Sequence, residues 1–131
     1  MNYSSAARQY QQVNVQSSVV DATPHRLIQM LFEGALGRIA QAKGAMLRSD
    51  VASKGELIGK AVNIVQGLQG SLSDTEGGDL AANLDQLYDY IVRTLIAANR
   101  NNDPSQLDEC GRLLGEIKSA WDQLPEQREA P

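Results

Sequence analysis

The sequence predicts an all-α protein, an antiparallel up-down four-helix bundle with a short N-terminal arm. Leu, Ile, Val and Ala dominate the apolar residues and aromatics are few, strand-like alternation is nearly absent, and four segments repeat apolar side chains at steps of three and four. Short links between such segments make antiparallel neighbours. A chain of 131 residues can bury one useful core, which points to one domain. The expected plan is an arm over residues 1–20 that is partly ordered and able to dock on the bundle, the bundle over 21–124, and a disordered tail over 125–131.

The arm is rich in Ser and Gln and has no acidic residue. Its apolar anchors are Tyr3, Tyr10, Val13, Val15, Val19 and Val20, too few for a core and too many for a purely solvated segment. The first helix opens at Thr23-Pro24, a good N-cap followed by proline at the first helical position, and runs to about Arg48. Ile28, Leu31, Phe32, Ala35, Ile39, Ala42 and Met46 mark its buried stripe. The second helix is placed near Ser53, which can form a capping box with Glu56, although Asp50 could cap an earlier start. Its seam is Ile58, Ala61, Val65, Leu68 and Leu72, widened by Leu57, Val62 and Ile64.

The third helix reads over residues 77–103, with Leu80, Leu84, Leu87, Ile91, Leu95 and Ala98 as its seam. The fourth begins at Asp103-Pro104 with Gln106 at the third helical position, and buries Leu107, Cys110, Leu114, Ile117, Trp121 and Leu124. Pro125 ends it. The links are 49–52, 73–78 and 99–103. Glycines recur inside these helices at 34, 37, 44, 59, 67, 111 and 115, each costing about 1 kcal/mol relative to Ala. Close backbone approach explains several of them; a bundle kept loose for a wedging partner is the alternative.

A net charge of −4 with no Lys/Arg cluster argues against nucleic-acid binding, since phosphate contacts need a basic face. The lone Cys110 forms no internal disulfide, and its seam position makes it a small core residue. No signal-peptide core or membrane-length apolar run is present, so stable membrane insertion is not expected and the cytoplasm is the default compartment. The one histidine, His25, reads as a first-turn surface residue. A di-iron bundle would need Glu-x-x-His pairs, and no catalytic triad, phosphate loop or paired zinc cysteines appear, so neither enzyme activity nor a metal or other cofactor is expected. Asp74, Glu76, Asp79, Asp85 and Asp89 suit a helix N-terminus followed by a solvated face; Asp85 and Asp89 could instead rim a groove.

The third helix carries more apolar surface than one packing seam requires. Tyr88, Tyr90, Val92 and Ile96 lie outside its seam, as Leu57, Val62 and Ile64 do on the second helix, and all seven are candidate partner-binding residues with ordinary core as the alternative for each. Tyr88 and Tyr90 point about 200° apart on a helix and cannot share a surface. Tyr88 stands beside the seam and is expected inside; Tyr90 leans away and is expected to act on binding.

The stretches ARQYQQVNVQSS, ATPHRLIQMLFEGAL, KAVNIVQGLQGSL and GGDLAANLDQLYDYIVRTLIAANRNND, with Trp121 near the end, closely resemble the flagellar secretion chaperone FliS family over residues 7–124. The resemblance implies a non-enzymatic, cytoplasmic chaperone that binds the C-terminal segment of flagellin, prevents premature polymerisation and aids delivery to the flagellar type III export gate. It further implies that the arm lies over part of the flagellin-binding surface and that the region around its tyrosine is recognised by the export-gate protein. Tyr10 occupies that position, Val13 stands one turn later, and Ala7 is a small residue where relatives can carry a larger aliphatic one. The arm is then an intramolecular placeholder for the groove. The free protein is expected as monomer or homodimer. A structural or dimerisation bundle without cargo and a metal-dependent bundle enzyme are the competing classes.

Overall fold

The computed structural model describes residues 22–72 and 78–125. The predicted arm, the tail beyond Pro125 and residues 73–77 of the second link, with Asp74 and Glu76, lie outside the described residues. Four helices follow in order: α1 (Pro24–Leu47), α2 (Val51–Ser71), α3 (Gly78–Asn101) and α4 (Pro104–Gln123), with no strand among the described residues. Each packs on its neighbours in sequence, and α4 closes the ring on α1. The pairs run antiparallel, as cross-links at both ends show. Lys54 reaches Asn99 and Gln69 reaches Asp85 between α2 and α3; Gln29 reaches Asp122 and Lys43 reaches Asp108 between α1 and α4.

The links are short because one residue serves two helices. Thr23 Oγ1 accepts the Arg26 amide at 3.1 Å and opens α1 with Pro24 behind it, as the sequence predicts. At the far end Ser49 turns left-handed (φ 61°), and the amides of Ser49 and Asp50 bond back to the carbonyls of Met46 and Ala45. Asp50 then accepts the Ser53 amide at 3.2 Å, so α2 starts at Val51 and the expected Ser53 cap is corrected to the earlier alternative. The same device ends α3. Asn102 turns left-handed (φ 52°), the Asp103 amide bonds to the Ala98 carbonyl, and Asp103 caps α4 through the Ser105 amide at 2.9 Å. These cap bonds hold the carboxyls of Asp50 and Asp103 below the usual aspartate range.

All seven predicted stripe residues of α1 are buried, joined by Leu27, Met30 and Ala45. The core continues through Ile58, Ala61, Val65 and Leu68 of α2, Ile91, Leu95 and Ala98 of α3, and Leu107, Cys110 and Leu114 of α4. Cys110 is sealed in it, and burial pushes its thiol up to about 12. Two seam residues fall outside. Leu80 is 72% exposed because Gln69 of α2 already meets Asp85, so α2 ends before the chain position that would cover Leu80. Leu124 is exposed because α1 starts at Pro24, and Trp121 of α4 already packs at His25, the second residue of that helix.

His25, expected at the surface, is buried, and so is Lys54. His25 stacks on Trp121 (centroids 5.0 Å apart, 15° between planes), and the Trp121 indole donates to the His25 carbonyl at 3.0 Å. Antiparallel α4 thus covers the first turn of α1, which a reading of α1 alone leaves in solvent. Lys54 is the other. Its ammonium donates to the carbonyl of Asn99 and the side-chain oxygen of Asn102, both at 3.1 Å, and so ties the start of α2 to the end of α3.

Close approach does not explain Gly37 or Gly115, where an added Cβ would meet nothing within 4 Å; at Gly111 it would only touch Ile39 at 3.9 Å. The Gly37 and Gly115 sites retain the backbone-entropy cost of glycine without a packing reason. Gly37→Ala and Gly115→Ala, made singly, should each raise stability by about 0.5–1 kcal/mol, measured as a higher melting temperature by circular dichroism. A lower one would mean that the helix surface there has no room after all.

Candidate partner-binding surface

In a ring of four, α3 touches both α2 and α4, so its buried face is wider than a two-helix seam. This consumes part of the apparent apolar excess. Tyr88 (4% exposed) and Val92 (8%) lie in the core, as does Ile64, which follows Leu57 and Ala61 and precedes Leu68 in a second seam at steps of three and four on α2. Leu57 and Val62 are half-buried against the core, while Ile96 (50%) and Tyr90 (38%) stay exposed.

The seven candidates do not share one face. Gln69 donates to the Asp85 carboxylate at 3.0 Å, fixing which sides of α2 and α3 meet. Val62 precedes Gln69 by two turns, and Ile96 follows Asp85 by three, so both border the α2–α3 side. Val51, 70% exposed and three turns before Val62, extends that line. Sequence reading missed it because it assigned Val51 to a link; its three-turn spacing from Val62 was the available signal. Asp85 and Asp89 edge this side, and Asp89 is paired with Arg93 at 3.1 Å.

Tyr90 faces the other neighbour. Its hydroxyl donates to Glu109 of α4 at 2.7 Å, and this bond chiefly raises its pKa. The Arg93 guanidinium lies 6.0 Å from its ring centre. Leu57 borders α1 instead, where it lines an open groove of about 510 Å³ with Ala40, Gln41, Gly44, Arg48 and Ser53. A partner touching Leu57, Val62, Ile96 and Tyr90 together must therefore wrap the bundle. Among the described residues no group of His, Cys, Asp and Glu is arranged to hold a metal ion, and no helix is long and apolar enough to cross a membrane. Ala7, Tyr10 and Val13 lie outside the described residues.

A family model described as flagellar protein FliS matches residues 6–128. The chain is 54% identical to flagellar secretion chaperone FliSB of Pseudomonas aeruginosa over 89% of its own length and 93% of the relative's. It is 47% identical to flagellar secretion chaperone FliS of Vibrio cholerae (88% and 85% covered). With the protein of that name from Salmonella typhimurium it shares 42% identity (95% and 93% covered).

Proposed function

The chain belongs to the flagellar protein FliS family, and we propose that it binds the C-terminal segment of flagellin in the bacterial cytoplasm, prevents its premature polymerisation and aids its delivery to the flagellar export gate. Its relatives are named as chaperones, and the chain is not an enzyme. The observation that carries the proposal is a bundle whose core is complete while large apolar residues on α2 and α3 remain in solvent.

Ile96 with Val62 is the central contact, and Leu57 and Tyr90 receive a segment that continues around the bundle onto its adjacent sides. Ile64, Tyr88 and Val92 shape the surface from beneath. Covering an exposed Val or Ile contributes about 1.5–3 kcal/mol, enough for a few such anchors to order a helical segment that is unfolded when free. Residues 1–18 act as the placeholder, with Tyr10 and Val13 as anchors and Ala7 one turn earlier. Tethering gives even weak docking an effective concentration on the order of millimolar. Displacement by cargo then frees Tyr10 for the export gate. The test is flagellin polymerisation followed by light scattering: this protein should block it at one molecule per flagellin. Unchanged polymerisation at equimolar protein would overturn the proposal.

A further inference from the structure

Lys54 is a buried charge without a counter-ion. It is 7% exposed, and its ammonium donates to the Asn99 carbonyl and the Asn102 side-chain oxygen, each at 3.1 Å. Both acceptors are neutral, and among the described residues no carboxylate forms an ion pair with it. An ammonium carries three donors, so one is left over, and a charge taken out of water is costly until it is paired. The ammonium stands at the wall of a cavity. Met46, Ser49, Asp50, Val51, Lys54 and Asn102 line a space of about 230 Å³, so the residue whose amide oxygen holds the ammonium is itself on the lining. Asp50 is the carboxylate there, but it is committed to the Ser53 amide at 3.2 Å, and the nearby Arg48 guanidinium offsets its charge. Lys54 leaves the cavity net positive.

This cavity closes one end of the α2–α3 side. Asn99 follows Ile96 by three residues and continues its face of α3 toward the helix end, while Val51, on the cavity lining, ends the line that includes Val62. Beyond it stand Met46, Ser49 and Asp50, the end of α1 and the α1–α2 link. A segment lying on this side therefore meets the ammonium at one of its ends and not in its middle.

We infer that Lys54 receives the terminal α-carboxylate of the flagellin segment, whose last turns lie on the α2–α3 side with their C-terminus at the cavity, antiparallel to α2 and parallel to α3. The inference rests on the flagellin reading above. A C-terminal segment brings that carboxylate together with the negative end of its helix dipole, and both suit an ammonium that lacks a counter-ion. Ile96 and Val62 accept an amphipathic helix in either direction; Lys54 selects one of them.

The test is calorimetry of the unsubstituted protein with a flagellin C-terminal peptide that has a free terminal carboxylate, compared with the same peptide amidated. The amidated peptide should bind about tenfold more weakly. Asn102→Asp locates the effect, because it supplies Lys54 with a carboxylate of its own, and aspartate tolerates the left-handed backbone at that position (φ 52°). The variant should melt at or above the unsubstituted protein and bind the two peptides alike. Equal affinity of the unsubstituted protein for both peptides would overturn the inference and leave the flagellin reading intact. A preference for the free carboxylate that survives in Asn102→Asp would also overturn it, by placing the carboxylate elsewhere. So would a lower melting temperature for the variant, which would mean that the ammonium lacks nothing in the free protein. If neither peptide binds the unsubstituted protein, the flagellin reading itself fails and the inference with it.

Discussion

Ile96→Asp should leave the bundle folded and weaken flagellin binding at least tenfold, whereas Val92→Asp, one turn earlier, should unfold much of the protein before binding can be read. Ile96 is 50% exposed, so a carboxylate there stays hydrated in the free protein. Covering it with an apolar partner removes that hydration and replaces a favourable contact, and a loss above about 1.4 kcal/mol already means a factor of ten. Val92 is 8% exposed among Ile91, Leu95 and the α2 core, where a charge has no partner. Melting by circular dichroism and calorimetric titration with a flagellin C-terminal peptide separate the two. Undiminished binding by a folded Ile96→Asp variant would remove the α2–α3 side from the site.

Lys54→Met should destabilise the free bundle by about 3 kcal/mol, although methionine matches the apolar stem. The ammonium makes two bonds that a thioether cannot replace, to the Asn99 carbonyl in the last turn of α3 and to the Asn102 side chain at the left-handed residue that ends it. Hydrogen bonds from a charged donor contribute about 1.5–3 kcal/mol each, and an orphaned helix-end carbonyl adds a desolvation cost. Met46, Ser49, Asp50, Val51 and Asn102 wall the site with Lys54, leaving a cavity of about 230 Å³. The check is the urea midpoint at unchanged slope. A loss under about 1 kcal/mol would mean that water in this cavity takes over both bonds.

Local chemistry was the most legible part of the fold. Thr23-Pro24 and Asp103-Pro104 declare their helix starts because a cap and its proline act within one turn. The opposed directions of Tyr88 and Tyr90 follow from helical angle alone, and one is found in the core and the other against α4. What depends on a neighbour was not legible. Leu80 and Leu124 continue their seams faultlessly and are exposed only because the facing helices stop short. Ile64 and Val92 looked like surplus because a seam is defined by one neighbour, while a helix in a ring has two. His25 reads as surface because its cover comes from α4; Lys54, four residues before Ile58, stands in register with the α2 seam, and that register was the available signal for its burial.

The measurement that tests the central claim most directly is hydrogen exchange of a flagellin C-terminal peptide, free and with equimolar protein, alongside the mass of the complex in solution. The account predicts a complex of one chain and one peptide, new amide protection at helical spacing in the peptide, and added protection on α2 and α3 around Val62 and Ile96. A peptide that stays unprotected, or protection of the α2–α3 side that arises from self-association of the bundle without peptide, would contradict it.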